Sequence, residues 1–371
     1  MSFCGNCGKE LPEGSSYCPH CGAFIGRGSS KDFSAYSGGG TTVTGSSHNS
    51  TASSLVDGLS GYMGHNKSVQ LNWKDLFSNV FKSHSREEAE EIFICGTAQT
   101  TPPLGEVSET WPKPWLYSRV LVCFLAAYFL LYLCVTVFGN PNCIPGMILM
   151  GSFAVPFATI ILFMEVNAFR NISIYSVFIY FLIGGCASLL VTLFFFDLDI
   201  LDAGLGSTWS AMMVGVIEEC GKAVIVFVLL KSAKTDYILP ALLIGACVGG
   251  GFAAFESSGY AYVRGDTLDS LTTIVYLRAF LAPGGHVAWA AITAAAMVIA
   301  KGSGPMTSSV LTNSRFLKIF LIPIVLHGLW DSPLFPGLIK LCVLIVLVWI
   351  VVMILINMGL DQVSKLKNGT V

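Results

Sequence analysis

Residues 337–357 read GLIKLCVLIVLVWIVVMILIN, an apolar run with one charged residue near its start. A helix needs about 20 such residues to cross a bilayer, because each residue rises about 1.5 Å and the hydrocarbon core is about 30 Å thick. Seven further stretches have similar length and apolarity, so the predicted spans are 116–138, 144–164, 173–196, 209–230, 237–260, 272–300, 316–334 and 337–357. We therefore predict an all-α fold, a polytopic membrane bundle of about eight transmembrane helices.

The composition supports a membrane protein. Hydrophobic residues make up 53% of the 371-residue chain and charged residues 12%, whereas a soluble domain has about 25% charged residues. The net charge of −2 provides no basic surface for DNA or RNA. The composition thus excludes a soluble enzyme, a disordered chain and a nucleic-acid-binding protein, and we expect contact with membrane lipid instead.

Basic residues between the predicted spans indicate the orientation, because Lys and Arg are enriched in cytoplasmic loops. Those that fall on one side are Arg170, Lys231, Lys234, Lys301, Arg315, Lys318, Lys365 and Lys367. We therefore expect a multi-pass protein of the cell membrane with cytoplasmic N- and C-termini, and residues 361–371 as a cytoplasmic tail.

The first 25 residues contain a separate motif, in which Cys4 and Cys7, then Cys18 and Cys21, form two C-x2-C pairs. Four thiolates at this spacing make a closed tetrahedral zinc site, and so short a segment needs a metal in order to fold. The stretch resembles the zinc ribbons at the ends of many microbial membrane proteins, which implies an interaction module with a protein partner. Two disulfides or free thiols are the alternative.

Two segments connect this ribbon to the first span. Residues 26–70 are predicted to be a flexible Gly/Ser linker, and residues 71–115 an amphipathic juxtamembrane segment. Apolar residues at helical spacing predict a helix from Asn72, and Ser85 with Glu88 predicts the capping box of a second helix. These helices lie on the membrane surface or pack on the membrane domain.

Ionisable residues lie within four consecutive predicted spans, where each costs about 2.5–3.5 kcal/mol on insertion scales. The fourth span contains Glu218, Glu219 and Lys222, the fifth Glu256, the sixth His286, and the seventh His327 and Asp331. Such pairs can simply join helices, but residues of this kind in four spans indicate a functional site.

Helical spacing places several of these residues together. Glu218 and Lys222 are four residues apart and share a helix face, as do His327 and Asp331. Glu219 is rotated by about 100° and faces a different neighbour. We therefore expect the side chains to converge on one polar cavity.

The motifs that carry these residues resemble those of a known family. EECGK at 218–222, FAAFE at 252–256, GGHVAWAA at 284–291 and HGLWD at 327–331 are similar to the EExxK, FxxxE and HxxxD motifs of the PrsW family. These are glutamic-type intramembrane proteases related to the CAAX prenyl endopeptidases. The resemblance covers roughly residues 115–357, which implies a transmembrane protease domain over residues 116–360.

The resemblance implies a role for each of the seven residues. Glu218 would be the general base with Glu219 as its partner, and Lys222 would keep one carboxylate ionised. Glu256 and His286 would position water or transfer a proton. His327 would donate to the oxyanion, and Asp331 would orient its ring. This mechanism requires no metal in the membrane, although the same donor types can also bind zinc.

The expected function is an intramembrane endopeptidase that cuts a transmembrane protein substrate, such as an anti-sigma-factor-like protein, near its extracytoplasmic side. A proton-coupled transporter or ion pathway that uses the same carboxylates and histidines is the first alternative. The second is a catalytically inactive scaffold that recruits partners through the ribbon.

Overall fold

The computed structural model describes residues 2–3, 10–11, 50–65, 67, 69–198, 207–334 and 337–369. The chain divides into two units, residues 1–49 and residues 50–371. In the first unit, strands β1 (Ser2–Phe3) and β2 (Glu10–Leu11) pair antiparallel. The predicted zinc ligands Cys4, Cys7, Cys18 and Cys21 lie outside the described residues, as does the linker up to residue 49.

The second unit is helical, which confirms the predicted fold class. Its helices are α1 (Ser50–Tyr62), α2 (Arg86–Phe93), α3 (Leu116–Thr136), α4 (Ile144–Val166), α5 (Ile174–Ile179), α6 (Gly185–Asp197), α7 (Thr208–Ala233), α8 (Ile238–Arg264), α9 (Leu268–Leu281), α10 (His286–Lys301), α11 (Ser314–Asp331) and α12 (Leu338–Lys367). A π-helical segment, Tyr180–Gly184, joins α5 to α6.

Six helical segments of the described chain are long and apolar enough to cross a membrane, fewer than the eight predicted. They are Leu116–Thr136, Pro141–Val166, Ile174–Asp197, Ile238–Arg264, Leu268–Lys301 and Leu338–Lys367. The other two predicted spans, 209–230 and 316–334, correspond to α7 and α11. Each of these helices carries at least three charged residues, which makes it too polar to count as a span by apolarity alone.

Part of the flexible-linker prediction is wrong, because residues 50–62 form helix α1. Val56 and Met63 are buried, and the Tyr62 hydroxyl donates to the Lys318 carbonyl at 2.9 Å. Beyond the helix, Lys67 forms an ion pair with Asp361 of α12. A few apolar residues at helical spacing therefore dock this Ser/Gly-rich segment on the membrane domain.

The helix predicted from Asn72 is also wrong. Residues 73–82 form consecutive turns whose backbone hydrogen bonds join residues three apart. Of the apolar residues that suggested the helix, Leu76 is buried, whereas Phe77 and Phe81 are 58% and 94% exposed. Only part of that apolar stripe is therefore buried against the described chain, and the backbone of this segment forms turns.

The second juxtamembrane prediction is confirmed. The hydroxyl of Ser85 accepts a hydrogen bond from the Glu88 amide, and the Glu88 carboxylate accepts one from the Ser85 amide, so a capping box begins α2. This local pattern succeeds because both partners lie within one turn and need no distant contact.

Helix α8 is buried along most of its length and packs closely on α10. A Cβ atom on Gly249 would lie 2.0 Å from the His286 carbonyl oxygen, and one on Gly245 would lie 2.2 Å from that of Ala290. The absence of a side chain at these glycines therefore permits close helix packing. This contact places the first residue of α10 directly against α8.

The sixth predicted span, 272–300, is interrupted near its middle. Helix α9 ends at Leu281, the turn Ala282–Gly284 follows, and α10 begins at His286. Pro283 cannot donate a backbone hydrogen bond, and Gly285 has an irregular backbone conformation. The break places the His286 side chain at the start of a helix.

Candidate active site

The structure brings all seven predicted residues into one cluster. Helix α7 supplies three of them, α8 and α10 one each, and α11 the last two. A cavity of about 380 Å³ is lined by five of the seven, namely Glu218, Glu256, His286, His327 and Asp331. The other two, Glu219 and Lys222, are fully buried behind it.

A buried ion pair forms the base of the site. The Lys222 ammonium lies 2.7 Å from Glu219 Oε1 and 3.6 Å from Glu218 Oε2. The closer partner of Lys222 is therefore Glu219, three residues away, although spacing alone had suggested Glu218. The ammonium also lies 4.4 Å from the centre of the Phe252 ring, a cation–π contact that helps to compensate for its burial.

Glu219 also orients His327. Nδ1 of His327 donates to Glu219 Oε1 at 2.8 Å, because an ionised carboxylate can only accept. Nε2 of the same ring lies 3.3 Å from Asp331 and 3.7 Å from Glu218. The hydrogen bond that fixes the ring thus comes from Glu219, and Asp331 faces the nitrogen on the cavity side.

The two ring nitrogens of His286 have different partners. Nδ1 lies 2.8 Å from the Lys222 ammonium, and Nε2 lies 3.2 Å from Glu256 Oε2. Since an ammonium can only donate, Nδ1 accepts, and Nε2 carries the hydrogen that it donates to Glu256. The ring is therefore held between a buried cation and a carboxylate.

Glu218 lies where these groups meet, but its own contacts are long. Its Oε2 atom is 3.8 Å from His286 Nδ1 and 3.7 Å from His327 Nε2. Both distances exceed a direct hydrogen bond. This buried oxygen has no hydrogen-bond partner among the described residues, so it is the carboxylate oxygen available to a bound molecule.

Small residues let α7 and α11 approach each other beside the site. A Cβ atom on Gly215 would lie 2.9 Å from the Gly328 amide nitrogen, and one on Gly328 would lie 2.2 Å from Met212 Sδ. Gly328 directly follows His327. The close approach therefore brings the His327 ring to the carboxylates of α7.

Aromatic side chains enclose the two histidines. The Trp289 ring stacks on His327 with centroids 4.3 Å apart and meets His286 edge-on at 5.1 Å. The two histidine rings are themselves 5.1 Å apart. The apolar surface of Trp289 thus shields one side of the cluster from solvent.

Arg278 was not among the predicted site residues, but it lies on α9 and lines the same cavity. Its guanidinium contacts Glu256, and its Nε donates to the Ser257 hydroxyl at 2.8 Å. The signal that could have revealed it is the one used for the other residues, a charged side chain inside the predicted span 272–300.

The cavity lies at the end of the bundle opposite to most basic loops. Helix α7 runs from the cavity residue Ser210 to Lys231, α10 runs from His286 to Lys301, and α11 runs from Arg315 towards Asp331. In each of these helices, the cavity residues and the loop lysines or arginines are at opposite ends.

Three of these residues have the donor types of a metal site. One atom each from Glu218, His286 and His327 lies within 4.8 Å of the other two. The Lys222 ammonium already occupies this neighbourhood, because it contacts His286 Nδ1 and lies 3.6 Å from Glu218. A divalent ion would have to compete with this fixed positive charge, so the residues in this arrangement do not fit a metal well.

Comparison with known families gives two matches. Residues 173–356 match the family described as "PrsW family intramembrane metalloprotease". Residues 3–25 match a zinc-ribbon domain. No curated protein and no solved structure matches the chain.

Proposed function

The membrane domain of this chain belongs to the PrsW family of intramembrane proteases, and from this premise we propose that Glu218 activates the water molecule that hydrolyses the substrate peptide bond. The observation that carries the proposal is the buried Glu218 Oε2, which has no hydrogen-bond partner in the part of the chain that the structure describes and faces a histidine from each of two other helices. Its distances of 3.7 and 3.8 Å allow one water molecule to contact the carboxylate and an imidazole together.

In the proposed reaction, Glu218 takes a proton from this water while the oxygen attacks the carbonyl carbon of the peptide bond. When His327 Nε2 carries a proton, it can donate to the oxyanion that forms. Glu218 then returns its proton to the nitrogen of the leaving amine, the C–N bond breaks, and an acid and an amine result. The same carboxylate thus serves first as base and then as acid.

The remaining residues hold these two groups in place. Glu219 orients His327 through its 2.8 Å hydrogen bond to Nδ1. Lys222 supplies a buried positive charge beside both carboxylates of α7. We assign His286 and Glu256 to the positioning of water, because their hydrogen bond lies at the cavity wall.

We propose that the reaction needs no metal in the membrane, although the family description includes the word metalloprotease. This proposal is supported by Lys222, whose ammonium contacts two of the three possible ligands. Zinc binding is assigned to the N-terminal ribbon, whose sequence matches a zinc-binding fold.

We propose that the substrate is a transmembrane protein, with a single-span anti-sigma-factor-like protein as the first candidate, cut near its extracytoplasmic side. Basic loops mark the cytoplasmic face, and the cavity is at the opposite ends of α7 and α11. The same argument supports cytoplasmic N- and C-termini.

The test is a comparison of new protein N-termini in membranes of cells that produce the wild-type chain or the Glu218→Gln variant. We expect N-termini within or beside membrane spans that appear only with the wild type. Identical sets of N-termini, together with proton or solute flux in liposomes that depends on Glu218, would instead support the transporter.

A further inference from the structure

We propose that Arg278 is a positioning residue of this site, which acts through Glu256 to orient the imidazole of His286. The proposal rests on the proteolytic function argued above and adds a residue that none of the recognised motifs contains. It is carried by three contacts of one guanidinium group.

All three contacts are made with helix α8. The guanidinium pairs with Glu256 through Nη2, its Nε donates to the Ser257 hydroxyl at 2.8 Å, and its carbon lies 4.3 Å from the centre of the Tyr260 ring. A guanidinium has five N–H groups in a rigid plane and can satisfy these directions together. A lysine ammonium at the same place could not.

The contact with Glu256 extends to the centre of the site. Glu256 Oε2 is shared between Arg278 and Nε2 of His286, which is 3.2 Å away. Nδ1 of that ring is held by Lys222. Without Arg278, the carboxylate that accepts the Nε2 hydrogen would lose its strongest anchor and could rotate away from the ring.

Arg278 also lies close to His286 in the chain. It precedes by four residues the turn Ala282–Gly284, after which His286 begins α10. The pair is well shielded, since the Arg278 and Glu256 side chains are 28% and 20% exposed. In such a setting, an ion pair has more effect than at an open surface.

Arg264 provides a matched control. Its guanidinium also lies over the Tyr260 ring, at 4.6 Å, and no carboxylate pairs with it within the described residues. Arg264→Gln therefore removes the same charge and a similar aromatic contact, but leaves Glu256 in place.

The experiment uses full-length protein in lipid nanodiscs, labelled with ¹⁵N at histidine. The chain has only six histidines, and the loss of one signal in His286→Gln identifies the His286 ring. The two ring ¹⁵N shifts report which nitrogen carries the hydrogen. This readout requires no cleavage, so it tests the role of Arg278 even if the proposed proteolytic function fails.

We expect Arg278→Gln to shift or broaden the His286 ring signals and Arg264→Gln to leave them unchanged. Arg278→Lys should give an intermediate spectrum, and it serves as the second variant if the glutamine form does not fold. His286 signals that are the same in all three variants and the wild type would overturn the proposal.

Cleavage rates provide the second arm. Arg278→Gln should slow the appearance of the Glu218-dependent N-termini by about 100-fold, the loss that a small misplacement of a catalytic group causes, whereas Arg264→Gln should stay within about 3-fold of the wild type. If Arg278 acts through Glu256, adding Arg278→Gln to Glu256→Gln should cost nothing more. Additive losses would show that Arg278 acts by another route.

Discussion

The Lys222 ammonium lies 2.8 Å from Nδ1 of His286, and this contact joins the buried ion pair of α7 to the first residue of α10. Because Lys222 also contacts Glu219, which in turn holds His327, both histidines are oriented by one buried network. Substitutions in this buried network should therefore affect both stability and cleavage, whereas substitutions of side chains that face the cavity should affect mainly cleavage.

The adjacent residues Glu218 and Glu219 should respond differently to the same substitution. Glu218→Gln should abolish cleavage and change the free energy of unfolding by only about 1 kcal/mol, since its Oε2 has no hydrogen-bond partner among the described residues and lies 3.6 Å from the Lys222 ammonium, which keeps Glu219. Glu219→Gln should lower it by about 3 kcal/mol, because it removes the nearest carboxylate of the buried Lys222 and leaves only Glu218, at 3.6 Å, as its anionic partner. Thermal unfolding in detergent, measured beside cleavage, distinguishes the two, and equal destabilisation would contradict this division of roles.

The Lys222–Glu219 pair should show strong coupling in a double-mutant cycle. Lys222→Met leaves Glu219 without its cation, and Glu219→Gln leaves Lys222 without its anion. The double variant removes both charges, so we expect it to be at least about 2 kcal/mol more stable than the sum of the single effects predicts. Cleavage should stay absent, since His327 loses its orienting carboxylate. Additive stability changes would show that the pair contributes little.

Close contact between α8 and α10 should be necessary for activity. A Cβ atom on Gly249 would lie 2.0 Å from the His286 carbonyl oxygen, whereas one on Gly259, on the same helix, meets nothing within 4 Å. Gly249→Ala should therefore cost about 1–3 kcal/mol in unfolding free energy and slow cleavage by more than about 10-fold.

Gly259→Ala is the control for this prediction. It should keep full activity and can add up to about 1 kcal/mol of stability, because alanine is the better helix former. Wild-type cleavage rates in Gly249→Ala would mean that His286 need not be held at its present distance from α8.

Zinc content and activity should respond to different residues. Elemental analysis should find about one zinc ion per wild-type chain, bound by the four cysteines of the ribbon. Cys4→Ser should lose this zinc, whereas His327→Gln should keep it and lose activity. Cleavage should also continue in 1,10-phenanthroline. A second zinc that disappears in His327→Gln, with cleavage stopped by the chelator, would show that the membrane site is a metal centre.

Several features of this protein follow from the sequence alone. Long apolar runs predict membrane helices because the bilayer imposes both length and apolarity, and the capping box of Ser85 and Glu88 is complete within one turn. The seven candidate site residues stand out for a similar reason, since charged groups inside membrane spans are costly and are usually retained for function. In these cases, the physical constraint acts on a local stretch of chain.

Only the tertiary structure decided which of these residues contact each other. Helical periodicity lets Lys222 reach either Glu218 or Glu219 on its own helix, and the structure makes Glu219 the closer partner. Glu219 also orients His327, because α11 approaches α7 closely beside Gly328. Arg278 belongs to the site because α9 packs beside α8. Likewise, α1 is held on the membrane domain by contacts with a distant segment, such as the hydrogen bond from the Tyr62 hydroxyl to the Lys318 carbonyl. Distances across helices depend on packing between segments far apart in the chain, and no local pattern of residues encodes them.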